Sequence, residues 1–192
     1  MNSEKTFQII ILTFFGMLGS LIIGFIFFKA SIFIYSSPNM QFLTAGFIGA
    51  LFFSLLEYRN VRDQIYGMIF LLVLHLIIFT GRHLSIIMIT RDIFYLGGLF
   101  LSIKIYHQFL KRNPKIKYYI RSLALALFYG LLNTIFIIVL FLIYTKADLP
   151  SLNFIYSIAR NGILIGLGIG LGMDFYLSNQ KQLFNLLKIK TT

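Results

Sequence analysis

Long, nearly uninterrupted hydrophobic stretches dominate the chain, and charged residues collect in the short segments between them. The stretches at 7–28 and 120–145 lack the continuous polar face of a soluble amphipathic helix. As helices rising about 1.5 Å per residue, ~18 or more apolar residues match a hydrocarbon core ~30 Å thick. The pattern predicts transmembrane helices over 7–28, 40–57, 64–81, 84–107, 120–145 and 153–177.

Composition favours the same class. Of the 192 residues, 58% are hydrophobic and 12% are charged, whereas soluble proteins carry about 25% charged residues. A very hydrophobic soluble bundle would need polar faces that these stretches lack. A five-helix arrangement is the main alternative, because 64–81 is short and 84–107 holds charges. We therefore expect an all-α polytopic membrane protein with one six-helix domain over residues 1–177.

Two further features of the sequence exclude some kinds of site and indicate that the first hydrophobic stretch is not cleaved. The chain has no cysteine, which excludes disulfides, thiolate metal sites and a cysteine nucleophile, and we expect no cofactor. The first hydrophobic stretch is too long for the core of a signal peptide, and no small-residue cleavage site follows Phe28. We expect this stretch to be retained as the first helix.

Basic residues predict the orientation, because cytoplasmic loops carry an excess of Lys and Arg. With both termini in the cytoplasm, the external set is Lys29, Arg82 and Lys146, and Arg91 and Arg160 are embedded. The cytoplasmic set is Lys5, Arg59, Arg62, Lys104, Lys111, Arg112, Lys115, Lys117, Arg121, Lys181, Lys188 and Lys190. The net charge of +11 then indicates contact with anionic inner-leaflet lipids rather than nucleic acid, in the cytoplasmic membrane of a bacterial cell. The basic tail, 178–192, is either an interfacial helix or a solvated end.

The even-numbered spans resemble one another. Residues 49–58 and 97–106 share Gly, Leu, Phe, Ser and Tyr in register, and residues 89–92 align with 158–161. The chain is therefore either three copies of a helical hairpin or a set of chance matches among few residue types.

Polar residues within the spans are the candidates for a binding site. Charges in a bilayer cost roughly 2.5–3.5 kcal/mol on insertion scales, so they usually face a protein interior or a wet cavity. Counting from the span ends puts several at one depth in the external half, where they predict a pocket for a small anionic or polar solute: Arg91, Asp92, Arg160, Asn161, His75 and Asn133. The structural alternative is that both arginines extend to the interface, or that Asp92 pairs with Arg160.

A second polar level lies at the cytoplasmic span ends. Glu57 and Asp174 there are candidates for proton or cation coupling, or are interfacial charges balanced by nearby Lys and Arg. Small residues recur every four positions and predict close helix packing rather than a flexible helix beside a substrate path. The packing candidates are Gly16, Gly24, Gly46, Gly98, Gly162, Gly166 and Gly170.

These features lead to one main functional hypothesis and two alternatives. The main one is a small transport protein: a carrier, a channel or a substrate-capture subunit with an outward-facing polar pocket. The alternatives are a non-transporting sensor, anchor or assembly subunit, and a protein that handles lipid headgroups. Partner subunits or a homo-oligomer are compatible with each. An enzyme is less favoured, because Asp92 and Asp174 lie at opposite membrane faces and neither Ser102 nor Ser157 has a convincing base on a facing helix.

Overall fold

The computed structural model describes residues 3–28, 38–58, 65–67, 69–70, 73, 86–116, 118–145 and 150–186. This part of the chain is helical apart from residues 113–116 and 150–151, and it contains no strand. Its long helices are α1 (Ser3–Phe28), α2 (Pro38–Tyr58), α3 (Ile86–Arg112), α4 (Tyr118–Thr145) and α5 (Leu152–Leu186). The predicted all-helical fold is confirmed.

Three stretches within the described helices are long and apolar enough to cross a membrane: Lys5–Phe28, Ile120–Ile143 and Leu152–Gln180. Phe42–Glu57 in α2 is apolar but shorter. These lengths and compositions indicate an integral membrane protein. Of the predicted span 64–81, residues 65–67, 69–70 and 73 are helical, and the rest lies outside the described residues.

The outer surface of the bundle is apolar. On α4, large side chains recur every fourth residue and are all exposed: Leu123, Leu127, Leu131 and Ile135. That spacing places them on one helix face. In water such a continuous apolar strip would be unfavourable, whereas lipid tails solvate it. The exposed face of α4 therefore fits a hydrocarbon environment.

The described helices form a ring in the order α1, α2, α3, α4, α5, with α5 returning to α1. Helices α2 and α5 also touch each other, so they line the centre. Residue contacts give the directions: α1 and α4 run one way, and α2, α3 and α5 run the other. The contacts that fix these directions pair Gly16 with Ala50, Gly46 with Ser20, Gly130 with Gly162, Gly170 with Ser122, Phe52 with Phe100, and Glu57 with His107.

We call the end where α1 and α4 begin the basic end, defined by Lys5, Lys111, Arg112, Lys115 and Arg121. Helices α2, α3 and α5 run toward it. Arg91 in α3 and Arg160 in α5 lie nearer to the other end, which we call the opposite end. The described basic residues are thus concentrated on one side of the bundle.

Glycines bring the helix backbones into contact. A Cβ atom on Gly172 would overlap the carbonyl group of Phe15, and one on Gly168 would overlap backbone atoms of Ser20 and Gly19. A Cβ atom on Gly162 would lie 2.9 Å from the Cα of Gly130, which is closer than packed carbon atoms approach. Helix α5 is therefore packed backbone to backbone against both α1 and α4.

Six of the seven predicted packing glycines lie against a neighbouring helix. Gly16 and Gly46 lie between α1 and α2, Gly98 lies against Phe136 of α4, and Gly24 is buried in α1. On α5, the glycines that face α4 are Gly162, Gly166 and Gly170. The α1-facing pair Gly168 and Gly172 belongs to a neighbouring row of the same helix.

Candidate functional site

The predicted outer pocket residues lie on three described helices. His75 lies outside the described residues. Arg91 and Asp92 lie in the first two turns of α3, and the structure describes their helical backbone. Asn133 is on α4, and Arg160 and Asn161 are on α5.

Asn133, Arg160 and Asn161 share one level in the bundle. Gly130 of α4 touches Gly162 of α5. Asn133 lies three residues beyond Gly130, and Arg160 lies two residues before Gly162 on the antiparallel helix. At about 1.5 Å per residue, both side chains start ~3–5 Å from that contact, toward the opposite end.

Arg91 lies nearer the opposite end. It is seven residues before Gly98, which contacts Phe136, so its backbone is ~10 Å beyond that contact. Asn133 lies three residues, ~5 Å, on the other side of the same contact. The polar residues therefore occupy a range of depths, with Arg91 outermost and with Asn133, Arg160 and Asn161 deeper in the bundle.

Asn133 is buried and incompletely hydrogen-bonded. Its relative exposure is 6%, and its side-chain carbonyl oxygen has no hydrogen-bond partner among the described residues. The neighbouring Thr134, by contrast, donates to the backbone carbonyl of Gly130 at 2.7 Å. A buried acceptor without a donor costs about 1–3 kcal/mol, so this oxygen is a strong position for a hydrogen-bonding ligand.

Arg160 projects from the outside of the bundle. It is exposed, its guanidinium carbon lies 5.2 Å from the ring centroid of Phe28 and 5.9 Å from that of Tyr156, and it donates to Asn161 Oδ1 at 3.4 Å. Leu171, eleven residues further along α5 and so on nearly the same face, is also exposed. Phe28 ends α1, where a cation is favoured by the helix dipole. The described contacts of Arg160 thus join α5 to the end of α1.

A second polar group lies at the basic end, where four helices meet. His107 Nε2 of α3 lies 2.7 Å from Glu57 Oε2 of α2. The His107 side chain is 8% exposed and the Glu57 side chain is 45% exposed. Phe53 of α2 packs edge-on against the imidazole, with ring centroids 5.8 Å apart. The imidazole of His107 is therefore buried against an aromatic ring, whereas the carboxylate of Glu57 reaches water.

Asp174 makes the matching contact between α4 and α5. The buried Ser122 donates its hydroxyl hydrogen to Asp174 Oδ2 at 2.5 Å. Gly170 lies one turn before Asp174 on α5, and a Cβ there would lie 3.0 Å from the Cβ of Ser122. The absence of a side chain at residue 170 lets α4 come close enough for this hydrogen bond.

Arg121 links the two carboxylates. Its guanidinium donates to the carbonyls of Ile116 and Pro114, which fixes the turn between α3 and α4. It also lies close enough to Glu57 and Asp174 to attract both electrostatically. We call this group the basal cluster, and its members are Glu57, Tyr106, His107, Arg121, Ser122 and Asp174.

The basal cluster includes the two residues predicted for proton or cation coupling, Glu57 and Asp174, and adds His107. Sequence reasoning missed His107 because it is the last residue of the predicted span 84–107 and therefore resembled an interfacial residue. The alignment of 49–58 with 97–106 could have indicated His107, since it placed residues 57 and 105 at one depth and His107 is two residues from position 105. The observed pairing of residues 57 and 107 differs from that register by two residues.

The described residues contain no group of three or more His, Cys, Asp or Glu side chains that could hold a metal ion. Comparison with protein families, curated proteins and solved structures found no match to this chain. The residues around Asn133, the basal cluster and the arrangement of the helices are therefore the features that bear on function.

Proposed function

We propose that the protein is a small membrane transport protein that binds a small anionic or polar solute in a pocket entered from outside the cell. The pocket has Asn133 and Asn161 at its deep level, and Arg91 and Asp92 nearer to the entrance. Glu57 and Asp174 at the basic end couple transport to a proton or cation. Both termini face the cytoplasm, where basic residues contact anionic lipid.

The helix directions support a six-span topology. Helices α2 and α3 run the same way, so the chain that leaves α2 at the basic end must return to the opposite end before α3 begins. The described Gly67 lies beside Leu55 of α2, which fits a helix that turns back along α2. A crossing within residues 59–85 completes six spans, and the basic end then faces the cytoplasm.

The observation that carries the proposal is the buried carbonyl oxygen of Asn133. In a membrane protein, polar side chains inside the bundle usually pair or line a solute path. Asn133 Oδ1 has no partner among the described residues, whereas Ser20, Ser54, Ser102, Ser122 and Tyr129 all donate hydrogen bonds. A solute with an N–H or O–H group would satisfy this oxygen, and the positive charge of Arg91 near the entrance would attract an anionic solute toward the pocket.

Replacing Asn133 with leucine, which has nearly the same shape, separates a binding role from a structural one. Because leucine removes an unsatisfied polar atom, we expect N133L to unfold in detergent at the same or a higher temperature, with a gain of about 1–3 kcal/mol. Solute uptake into proteoliposomes should fall at least tenfold, measured with radiolabelled lactate, which carries a hydroxyl and a carboxylate, and with inorganic phosphate.

The matched control is Thr134→Val, which alters the neighbouring residue and leaves Asn133 intact, so its uptake should stay within twofold of the original. An Arg91→Ala/Arg160→Ala double variant tests the preference for anions. If N133L unfolds more easily and leaves uptake of both solutes unchanged, Asn133 is structural and the transport proposal loses its main support. Loss of partner binding with unchanged uptake would instead favour a sensor or assembly subunit.

A further inference from the structure

Helix α3 is attached to the ring differently from its neighbours. Helices α1, α2, α4 and α5 meet through glycine contacts. The glycines of α3 make no backbone contact of this kind among the described residues: Gly98 meets the Phe136 side chain, and a Cβ on Gly97 would meet nothing within 4 Å. Side-chain contacts alone yield more easily than touching backbones, because rotamers can change. Among the described residues, α3 is therefore held by side chains and can shift more easily than α1, α4 and α5, whose backbones touch at glycines.

The contacts between α2 and α3 lie along one seam that ends in a polar pair. The rings of Phe52 and Phe100 meet at 5.4 Å, and Phe53 meets Tyr106 at 5.8 Å. At the basic end the seam closes with His107 and Glu57, 2.7 Å apart. The apolar contacts are not directional, whereas this pair fixes the two helices in one register.

We propose that His107 and Glu57 form a proton-binding site that holds α3 against α2, and that a proton taken up from the basic-end compartment tightens this hold. The neutral imidazole donates its Nε2 hydrogen to the ionised Glu57, since an ionised carboxylate only accepts. The incoming proton then binds Nδ1, so the imidazole becomes a cation and no other bond breaks. The neutral hydrogen bond becomes a charge-assisted ion pair, which is roughly twice as strong.

The surroundings suit such a site. The Glu57 side chain is 45% exposed and reaches water at the edge of the bundle, while the His107 imidazole is 8% exposed and packs against the Phe53 ring. Lys111 of α3 and Arg121 of α4 lie near Glu57, and Tyr106 of α3 and Arg121 lie near Asp174 of α5. Imidazole is the side-chain group that ordinarily changes charge between about pH 5 and 8.

This inference deepens the proposed function by naming the coupling residue, but the movement of α3 can be tested without any solute. The chain has no cysteine, so single cysteines introduced at Leu101 of α3 and Leu171 of α5 can each carry a spin label. Both positions are exposed, at 40% and 44%. Their distance in liposomes, measured by pulsed electron resonance at about pH 6 and about pH 8, reports the position of α3.

We expect one narrow distance distribution at the lower pH and a second, longer component at the higher pH. The ratio of the two populations should change roughly five- to tenfold, as the added strength of a charge-assisted bond implies. His107→Gln keeps an amide donor but cannot take up a proton, so its distribution should be the same at both pH values. Lys104→Gln, which removes an exposed charge from the same helix, should keep the pH response.

A reference pair at Phe14 of α1 and Phe175 of α5 should give the same distance at both pH values, because glycines join these helices. The proposal is overturned if the labelled chain shows no pH response, or if His107→Gln retains it. A chain that passes this test but transports neither lactate nor phosphate would keep the proton site and lose the transport function. The two proposals therefore fail separately.

Discussion

Single polar side chains carry much of the specificity inside this apolar bundle. Ser20 of α1 donates to the carbonyl of Phe42 at 2.8 Å, and Tyr129 of α4 donates across the centre to the carbonyl of Ala45 at 3.3 Å. Both donors are fully buried. Lipid offers no replacement partner for a broken hydrogen bond, so these contacts favour one arrangement of the helices over others that bury similar apolar area.

Ser122 should be the most sensitive of these hydroxyls, because its partner is a carboxylate. Ser122→Ala removes the donor to Asp174 and leaves a charge without that hydrogen bond at the α4–α5 contact. We expect a loss of about 1–3 kcal/mol in unfolding free energy, measured by denaturant titration in mixed micelles. Ser178→Ala changes an exposed serine of α5 that donates to the carbonyl of Phe175, and it should cost less than about 0.5 kcal/mol. Equal effects of the two changes would show that the Ser122–Asp174 bond contributes no stability.

The sequence predicts how deep a residue lies in the bundle better than it predicts which neighbouring helix the side chain faces. The depth of a residue follows from counting along its helix. Such counting predicted that Glu57 and Asp174 lie at one end of the bundle, and both lie at the basic end in the structure. Predicting which side of a helix faces its neighbours requires a polar face on that helix, and helices that are apolar all round have none. The pairing of Glu57 with His107 therefore becomes visible only once the helices are packed.

Helix α5 organises the ring, because its two glycine rows face different neighbours. Gly162 meets Gly130 of α4, while Gly168 and Gly172 meet α1. A helix with small residues on two faces can pack closely on both sides at once. Hydrophobicity alone predicted that these helices exist, and glycine spacing predicted that they pack closely. The order of the ring required the contacts themselves.

Gly172 and Gly97 are both helical glycines, and they differ in the atoms that would surround an added methyl group. Gly172→Ala places a methyl group against the carbonyl of Phe15, where the backbone cannot yield without separating α1 from α5. We expect a loss of about 2–4 kcal/mol in stability, at the upper end of the usual range for overpacking. Gly97→Ala, with no atom within 4 Å of the new methyl group, should stay within about 1 kcal/mol.

Thermal unfolding in detergent micelles measures both glycine variants. Spin-label distances between Phe14 and Phe175 would show whether Gly172→Ala pushes α1 and α5 apart. If Gly97→Ala destabilises the protein as much as Gly172→Ala does, the loss reflects glycine itself rather than the close approach of the helices.

The arrangement of the whole molecule depends on the shared direction of α2 and α3. If the chain crossed the membrane once between every pair of described helices, neighbours along the sequence would alternate in direction. They do so from α3 through α4 to α5 and from α1 to α2, and the exception is the step from α2 to α3. The proposed extra crossing between residues 59 and 85 would remove this exception, and it would put Lys5 and Arg121 on the same side as Arg59 and Arg62.

Cysteine labelling tests this topology directly, because the chain has no cysteine of its own. Two exposed positions at known ends serve as references, Lys115→Cys at the basic end and Leu152→Cys at the opposite end. In intact cells, a membrane-impermeant maleimide should label Leu152→Cys, and it should label Lys115→Cys only after the membrane is opened. If the segment 59–85 crosses the membrane, Arg62→Cys should behave like Lys115→Cys, and Arg82→Cys should behave like Leu152→Cys. Labelling of Arg62→Cys and Arg82→Cys from one face would show that the segment between them does not cross the membrane, and the proposed six-span topology would then be wrong.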